Sequence, residues 1–271
     1  MNYEITTIIN SLKKNGFFLL KNFLVNEDLN KLIKFLDKDS KKNTNESFIP
    51  IKKIDILKSL FNLDKSVFKR NLLIHKIKNR YKLEEIASQI IGNNKELYAI
   101  DSYKSKINTG MVIPWHTDQA YSGRKDVSEN EFVNPEKAAI KFFFYLTDVD
   151  SKNGCLGYIP GSHKISFYLK KMILDKEIRY SPYWRLEDYR NLLKNSEVKS
   201  KILKYLSEEE INKFLKDSSF VIEDNKDTNL FDIEAPRGSL LIFNESGVHR
   251  GATLTKSDRL CLRYFFRKQF N

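Results

Sequence analysis

The segment from Ala138 to Val149 restricts the fold more than any other part of the chain. Within it Lys141, Phe143 and Tyr145 alternate with Phe142, Phe144 and Leu146, a period of two that an extended strand presents as two opposite faces. One face can look into a cavity while the other packs on helices. From Leu97 onward the same rhythm returns in short β-branched and aromatic runs separated by turn residues, which predicts many short strands. Asn153 to His163 reads as a turn, a short apolar strand and a second turn. Gly238 to Asn244 reads as a strand, and Arg259 to Phe266 as the closing one. The expected fold is mainly β with flanking helices: a double-stranded β-helix, a distorted cupin-like jelly roll with its site between two sheets.

Helices are expected at two places before the strands. Asn26-Glu27-Asp28 supplies a cap and acidic residues at a positive dipole end, and Leu29, Leu32, Ile33 and Leu36 then form one stripe that should pack on the sheet. A second stripe, Leu83, Ile86, Ala87 and Ile90, stops at Gly92. Between them Asp37 to Lys53 is polar and without pattern, and is expected to be a mobile loop. Ile165 to Asp217 interrupts the strands with helices. Ser207-Glu208-Glu209-Glu210 is a capping box, preceded by the apolar cluster Ile202, Leu203, Tyr205 and Leu206. Tyr168, Tyr180, Tyr183 and Trp184 concentrate here. Such an insert, at about 165–217, is expected either to act as a lid over the barrel mouth or to be surface helices filling a groove. Without repeats or low-complexity tracts, residues 1–271 are expected to form one domain.

Composition narrows the functional classes. Hydrophobic content of 41% with 19 Phe and 13 Tyr supplies a large core and excludes disorder throughout. A net charge of +12 invites a nucleic-acid reading, because Lys and Arg neutralise phosphates. The positive charges are nevertheless spread along the chain, as in Lys52, Lys53, Lys58, Lys65, Lys69, Arg70, Lys76, Lys78, Arg80 and Lys82, and no nucleic-acid-binding signature appears. A solvated basic surface is the leading explanation. An anionic substrate or carrier, such as a phosphate-bearing sugar, a CoA thioester or an acyl carrier protein, comes next, and nucleic acid last. Cys155 and Cys261 both fall in predicted core strands without zinc spacing, so neither a disulfide nor a zinc site is expected. No secretory signal is evident at the start, and the longest apolar run, Phe142 to Leu146, is far too short to span a membrane. A cytoplasmic location is expected.

The chemistry-bearing residues are Trp115-His116-Thr117-Asp118, followed far downstream by His249 and then Arg259. His116 and Asp118 stand two apart, so on an extended backbone both project to one side. A third ligand must come from a distant strand, and His249 follows the Gly238 to Asn244 strand after a brief loop. Two imidazoles and a carboxylate can occupy one face of an Fe(II) octahedron and leave the opposite positions open.

With these residues in place, the sequence resembles the phytanoyl-CoA dioxygenase family of Fe(II)/2-oxoglutarate oxygenases, which also contains ectoine hydroxylase. The resemblance runs from Gly16-Phe17-Phe18-Leu19-Leu20-Lys21-Asn22-Phe23-Leu24 to the last strand, and its most specific parts are Pro114 to Asp118, Asn153 to His163, and the His249 and Arg259 pair. It implies that His116, Asp118 and His249 are the catalytic iron ligands and that Arg259 pairs with the distal carboxylate of the co-substrate 2-oxoglutarate. It also implies that Lys104 to Asn108 is a strand supplying further co-substrate contacts, with Lys104 and Asn108 as candidates, and that Phe143 lies beside the co-substrate. A carboxylate at Asp118 disfavours halogenation, since related halogenases leave this position without one.

Other residues compete for these roles. His163 is the alternative ligand, although its motif implies a structural turn histidine, and His75 is expected at the surface or packed. Arg263 lies four residues beyond Arg259, on the same strand face, so periodicity does not choose between them. Arginine suits the role because its planar fork pairs both carboxylate oxygens. Arg250 is expected to point away. Gln119, Tyr121 and Arg124 either line the substrate side or form an ordinary loop, and Trp115 and Phe143 are expected as apolar walls. The implied reaction uses molecular oxygen to convert 2-oxoglutarate to succinate and carbon dioxide while hydroxylating an unactivated carbon of a small or carrier-linked substrate. Two alternatives are a metal-binding jelly roll without turnover and a nucleic-acid-directed oxygenase on the same scaffold.

Overall fold

The structure, a computed structural model, describes residues 5–40, 46–52, 57, 65–107, 114–118, 139–179, 185–221 and 230–268. Strands β1 (Phe17–Leu20), β2 (Glu46–Phe48), β3 (Lys95–Ser105), β4 (Ala139–Tyr145), β7 (Leu240–Asn244) and β9 (Arg259–Lys268) form a six-stranded sheet in the order β1-β7-β4-β9-β3-β2. Strands β5 (Leu156–Tyr158), β6 (Asp232–Ile233) and β8 (His249–Gly251) form a three-stranded sheet in the order β6-β5-β8. All named pairings are antiparallel.

The alternation predicted for β4 is the organising device. Phe142 pairs with Ile242 and Tyr264, and Phe144 with Leu240 and Leu262. These residues face helices α1 (Ile5–Asn15), α2 (Asn26–Ser40), α3 (Lys65–Arg80) and α4 (Leu83–Ile91) in one apolar cluster. The opposite face sets Lys141 beside Phe243 and Phe265, Phe143 beside Leu241 and Arg263, and Tyr145 beside Cys261. There Tyr145, Leu241, Phe243 and Cys261 meet Cys155, Leu156, Tyr158 and Ile233 of the small sheet in a second cluster. Both cysteines are buried free thiols. The ligand-bearing strands therefore belong to a two-sheet sandwich whose large sheet is backed by helices.

Several expectations change. Helices hold more of the described residues than strands, so the chain is mixed helix and antiparallel sheet rather than mainly β. Helices α1 and α3 are additional to those expected; in α3 basic residues crowd the apolar stripe, and Arg70 and Asn71 are themselves buried. The segment expected as a mobile loop contributes the end of α2 and the edge strand β2, and Ile49 is buried in the core. An edge strand holds on through backbone pairing to β3, which needs no hydrophobic alternation. The helix stop at Gly92 is as expected: Gly92 takes φ +92° and donates its N–H to Ser88 O at 2.8 Å.

Helices α5 (Ser162–Leu174), α6 (Leu186–Lys194), α7 (Ser196–Ile202) and α8 (Glu208–Ser219) follow β5. The capping box on Ser207 is present, with Glu210 N–H donating to Ser207 Oγ at 3.2 Å and Ser207 N–H to Glu210 Oε2 at 3.1 Å. These helices share their own core, which also takes in Trp115, Ile159 and Val248. Tyr180, Tyr183 and Trp184 lie outside the described residues. Among the described residues no helix is long and apolar enough to cross a membrane.

Candidate metal centre

His116 and His249 are brought together by backbone pairing. His116 N–H donates to His249 O at 2.9 Å, and His249 N–H returns a bond to His116 O at 2.8 Å. Directly opposed residues of an antiparallel bridge project to the same side. The two imidazole centroids accordingly lie 4.7 Å apart. Two residues on, Asp118 returns to that side, its N–H donating to Glu245 O at 3.2 Å. One ligand atom from each of His116, Asp118 and His249 lies within 4.8 Å of the others.

The imidazoles are held in one tautomer. His116 Nδ1–H donates to Pro114 O at 2.6 Å, and His249 Nδ1–H donates to Gly247 O at 2.8 Å. Each Nε2 is thereby left as a lone-pair donor turned toward Asp118, at 3.3 Å from Oδ1 for His116 and 3.3 Å from Oδ2 for His249. Burial lowers the His249 pKa despite Asp118, which favours the neutral form a metal needs. The donor set, two imidazole nitrogens and one carboxylate oxygen with their other atoms already satisfied, fits a divalent transition metal.

The Asn153 to His163 motif supports this geometry from below. Tyr158 stacks on His249 with centroids 6.2 Å apart and planes 14° from parallel, and its hydroxyl donates to Asn244 O at 2.9 Å. A Cβ on Gly16 or Gly247 would overlap that hydroxyl, which is why glycine stands at both places. Ser162 Oγ accepts from Val248 N–H at 2.8 Å and fixes the residue just before His249.

Two site residues were not foreseen. Lys141 of β4 forms an ion pair with Asp118 Oδ2 and reaches Glu245 Oε2 at 3.3 Å. Burial alone would raise the Asp118 carboxyl, but the Lys141 ammonium opposes it and the group is held well below the usual carboxylate range. Lys141 is likewise raised against burial by Asp118 and Glu245, whereas burial lifts Glu245 against Lys141. The sequence shows Lys141 only as one member of the β4 alternation, without deciding which face meets the site. For Glu245, in a turn, there was no signal.

The competition between the arginines is resolved by their partners. Arg263 donates from Nε and Nη2 to the two oxygens of buried Asp101 at 2.6 and 2.8 Å, so its fork is already paired. Arg259 sits on the same sandwich-facing side and has no carboxylate partner among the described residues. Its Nη1 donates to Gly154 O, its Nη2 donates to Ser105 Oγ at 3.0 Å, and its Nε is buried without a partner. Phe143 is on this side too, edge-on to Phe243 at 4.9 Å, which in turn packs against His249 at 5.3 Å.

Other candidates are placed elsewhere. Strand β3 ends at Ser105, and Lys104 leaves it on the helix-facing side to meet Asp37 at 2.8 Å and Asp258 at 3.5 Å. Period two decides this, since Ser105 faces Arg259 and its neighbour must face away. By the same parity Trp115 turns from the ligands into the helical cluster, where Arg250 stacks on it at 5.3 Å, so it does not wall the site. Arg250 does point away, paired with both oxygens of Asp232 at 3.0 and 3.1 Å. His163 lies outside the metal cluster, at the start of α5, with Nε2–H donating to Lys13 O at 3.2 Å. His75 Nε2 bonds Pro50 O at 2.9 Å. Asn108, Gln119, Tyr121 and Arg124 lie outside the described residues.

A two-sheet sandwich carrying two histidines and an aspartate at its interior defines a candidate mononuclear metal centre. The family model for phytanoyl-CoA dioxygenase matches residues 12–261, and the chain belongs to that family of oxygenases. No curated protein matches by sequence. In fold the chain is similar to HygX from Streptomyces hygroscopicus, solved with nickel and 2-oxoglutarate bound, at TM-score 0.56 and 14% identity over 100% of this chain and 88% of that one. It is also similar to AviO1 from Streptomyces viridochromogenes Tue57, at TM-score 0.53 and 13% identity over 98% and 96% of the two chains. A third likeness is to the epimerase SnoN, in complex with Fe3+, alpha ketoglutarate and nogalamycin RO, at TM-score 0.53 and 10% identity over 97% and 83%.

Proposed function

We propose that this chain is an Fe(II)- and 2-oxoglutarate-dependent dioxygenase that hydroxylates an unactivated carbon of a small or carrier-linked, anionic metabolite. The observation that carries the reading is the convergence of His116, Asp118 and His249 on the interior of the sandwich, with the unpaired Nε of Arg259 facing the same interior. Family membership and the iron, nickel and 2-oxoglutarate held by SnoN and HygX support it. The net charge of +12 supports an anionic substrate.

In this reading His116, Asp118 and His249 hold the metal, and the bonds that the two histidines donate from Nδ1–H to backbone carbonyls keep the ligand nitrogens aimed. Arg259 pairs with the distal carboxylate of 2-oxoglutarate, its fork oriented by Gly154 O and Ser105 Oγ. Phe143 and Phe243 exclude water from the ligand side. When bound, Fe(II) and 2-oxoglutarate would supply the chemistry with molecular oxygen as the oxidant, one oxygen atom going to succinate and the other to the hydroxylated substrate, with carbon dioxide released. We read residues 1–271 as one domain with a double-stranded β-helix core. Of the two readings of the helices at about 165–217, groove-filling helices are better supported than a lid, because Trp115, which turns away from the ligands, belongs to their core. Asp118→Ala is expected to abolish Fe(II)-dependent conversion of 2-oxoglutarate to succinate. Undiminished succinate formation in that variant would overturn the reading.

A further inference from the structure

Asp118 offers two oxygens to the cluster, and they are not equivalent. Among the described residues Oδ1 meets only His116 Nε2, at 3.3 Å, whereas Oδ2, 3.3 Å from His249 Nε2, also receives the Lys141 ammonium. A charge-assisted bond of this kind is among the stronger polar contacts a carboxylate makes.

Lys141 is fixed for this task from three sides. Its Nζ lies 3.3 Å from Glu245 Oε2 and 5.4 Å from the centre of the Phe265 ring. Glu245 is itself pinned to the start of β4, accepting from Ala139 N–H at 3.1 Å through Oε1 and donating its own N–H to Ala139 O at 3.1 Å. The cation is therefore clamped between two carboxylates, one fixed by the sheet and the other in the ligand cluster.

Resting on the function proposed above, we propose that Lys141 is the positioning residue that keeps Asp118 a one-oxygen ligand. Two histidines and one carboxylate oxygen leave three places on an octahedral metal, two for a chelating co-substrate and one for oxygen. If both Asp118 oxygens bound, one of those places would be lost. By occupying Oδ2, Lys141 preserves it, and Glu245 holds Lys141 where it can do so.

The test is an anaerobic titration of full-length wild type, Lys141→Met and Lys141→Arg with Fe(II), then 2-oxoglutarate, followed by the visible metal-to-ligand absorption band and by near-infrared magnetic circular dichroism of the metal. The proposal expects Lys141→Met to bind Fe(II), to show an altered ligand-field spectrum before 2-oxoglutarate is added, and to need about tenfold more 2-oxoglutarate for the band. Lys141→Arg, which retains a cation, is expected to restore both. Should Lys141→Met fail to fold, Lys141→Gln is read in its place with the same expectations. An unchanged ligand-field spectrum and 2-oxoglutarate affinity in Lys141→Met would overturn the role of Lys141 while leaving the metal centre standing. A wild-type protein that binds no Fe(II) would overturn both.

Discussion

The two faces of strand β4 spend the same backbone on opposite ends. On the helix side, Phe142 and Phe144 are fully buried among apolar neighbours from β7, β9 and the amino-terminal helices. On the sandwich side, Lys141 and Phe143 sit among the charged groups Asp118, Glu245 and Arg263. The first face is ordinary core, and its burial stabilises the fold in proportion to the area hidden from water. The second face holds charges that a stable core has no need of, each satisfied by a named partner apart from Arg259 Nε. What the contrast teaches is that the helix-facing side carries the stability and the sandwich-facing side carries the chemistry, although only one residue separates them along the chain.

Substitutions on each side put that division at risk. Phe142→Ala removes a ring packed edge-on against Phe266 at 5.2 Å and is expected to cost about 3–5 kcal/mol in urea unfolding, with co-substrate affinity of the surviving folded protein little changed. A stability loss under about 1 kcal/mol would mean that the helix-facing side is not the main core.

His163 sharpens the contrast from outside both faces, as a half-buried histidine outside the metal cluster. Burial pushes its pKa from 6.5 down to about 4, the bond to Lys13 O opposing only in part. A group whose folded pKa is depressed lends stability that is complete above pH 6.5 and is lost as the pH falls toward 4. Over that window the wild type is expected to lose about 2–3 kcal/mol more than His163→Gln, read from denaturation midpoints at stepped pH. Parallel profiles for the two proteins would show that His163 is not held neutral by the fold.

Much of this division was legible in the residues themselves. The period of two across Lys141 to Leu146, the His116 and Asp118 spacing and the Gly92 stop each depend on local backbone geometry, which sequence records directly. The reach of His249 to His116 was inferred from resemblance, and the structure brings the two together through a bridge between distant segments. What was not legible depends on register between strands. Arg259 and Arg263 share a face, and only the pairing of β3 with β9 shows that Asp101 stands opposite Arg263 and Ser105 opposite Arg259. The same register sends Lys104 to the helix side. The alternation of β4 does not say which face meets the site, and the partners of Lys141, Asp118 and Glu245, come from a loop and a turn that no periodicity connects to β4.

The smallest expected effect on stability belongs to Arg259, and it joins the two halves of the comparison. Arg259→Met removes a half-buried guanidinium whose Nε is unpaired and should change unfolding free energy by no more than about 1 kcal/mol, yet impair co-substrate binding severely. The most direct measurement is therefore the anaerobic addition of Fe(II) and 2-oxoglutarate to wild type, Asp118→Ala and Arg259→Met, followed by visible absorption. The account predicts a metal-to-ligand charge-transfer band in the wild type, none in Asp118→Ala, and one in Arg259→Met only at far higher 2-oxoglutarate. A folded wild type without the band, or a band that survives intact in Asp118→Ala, would contradict it.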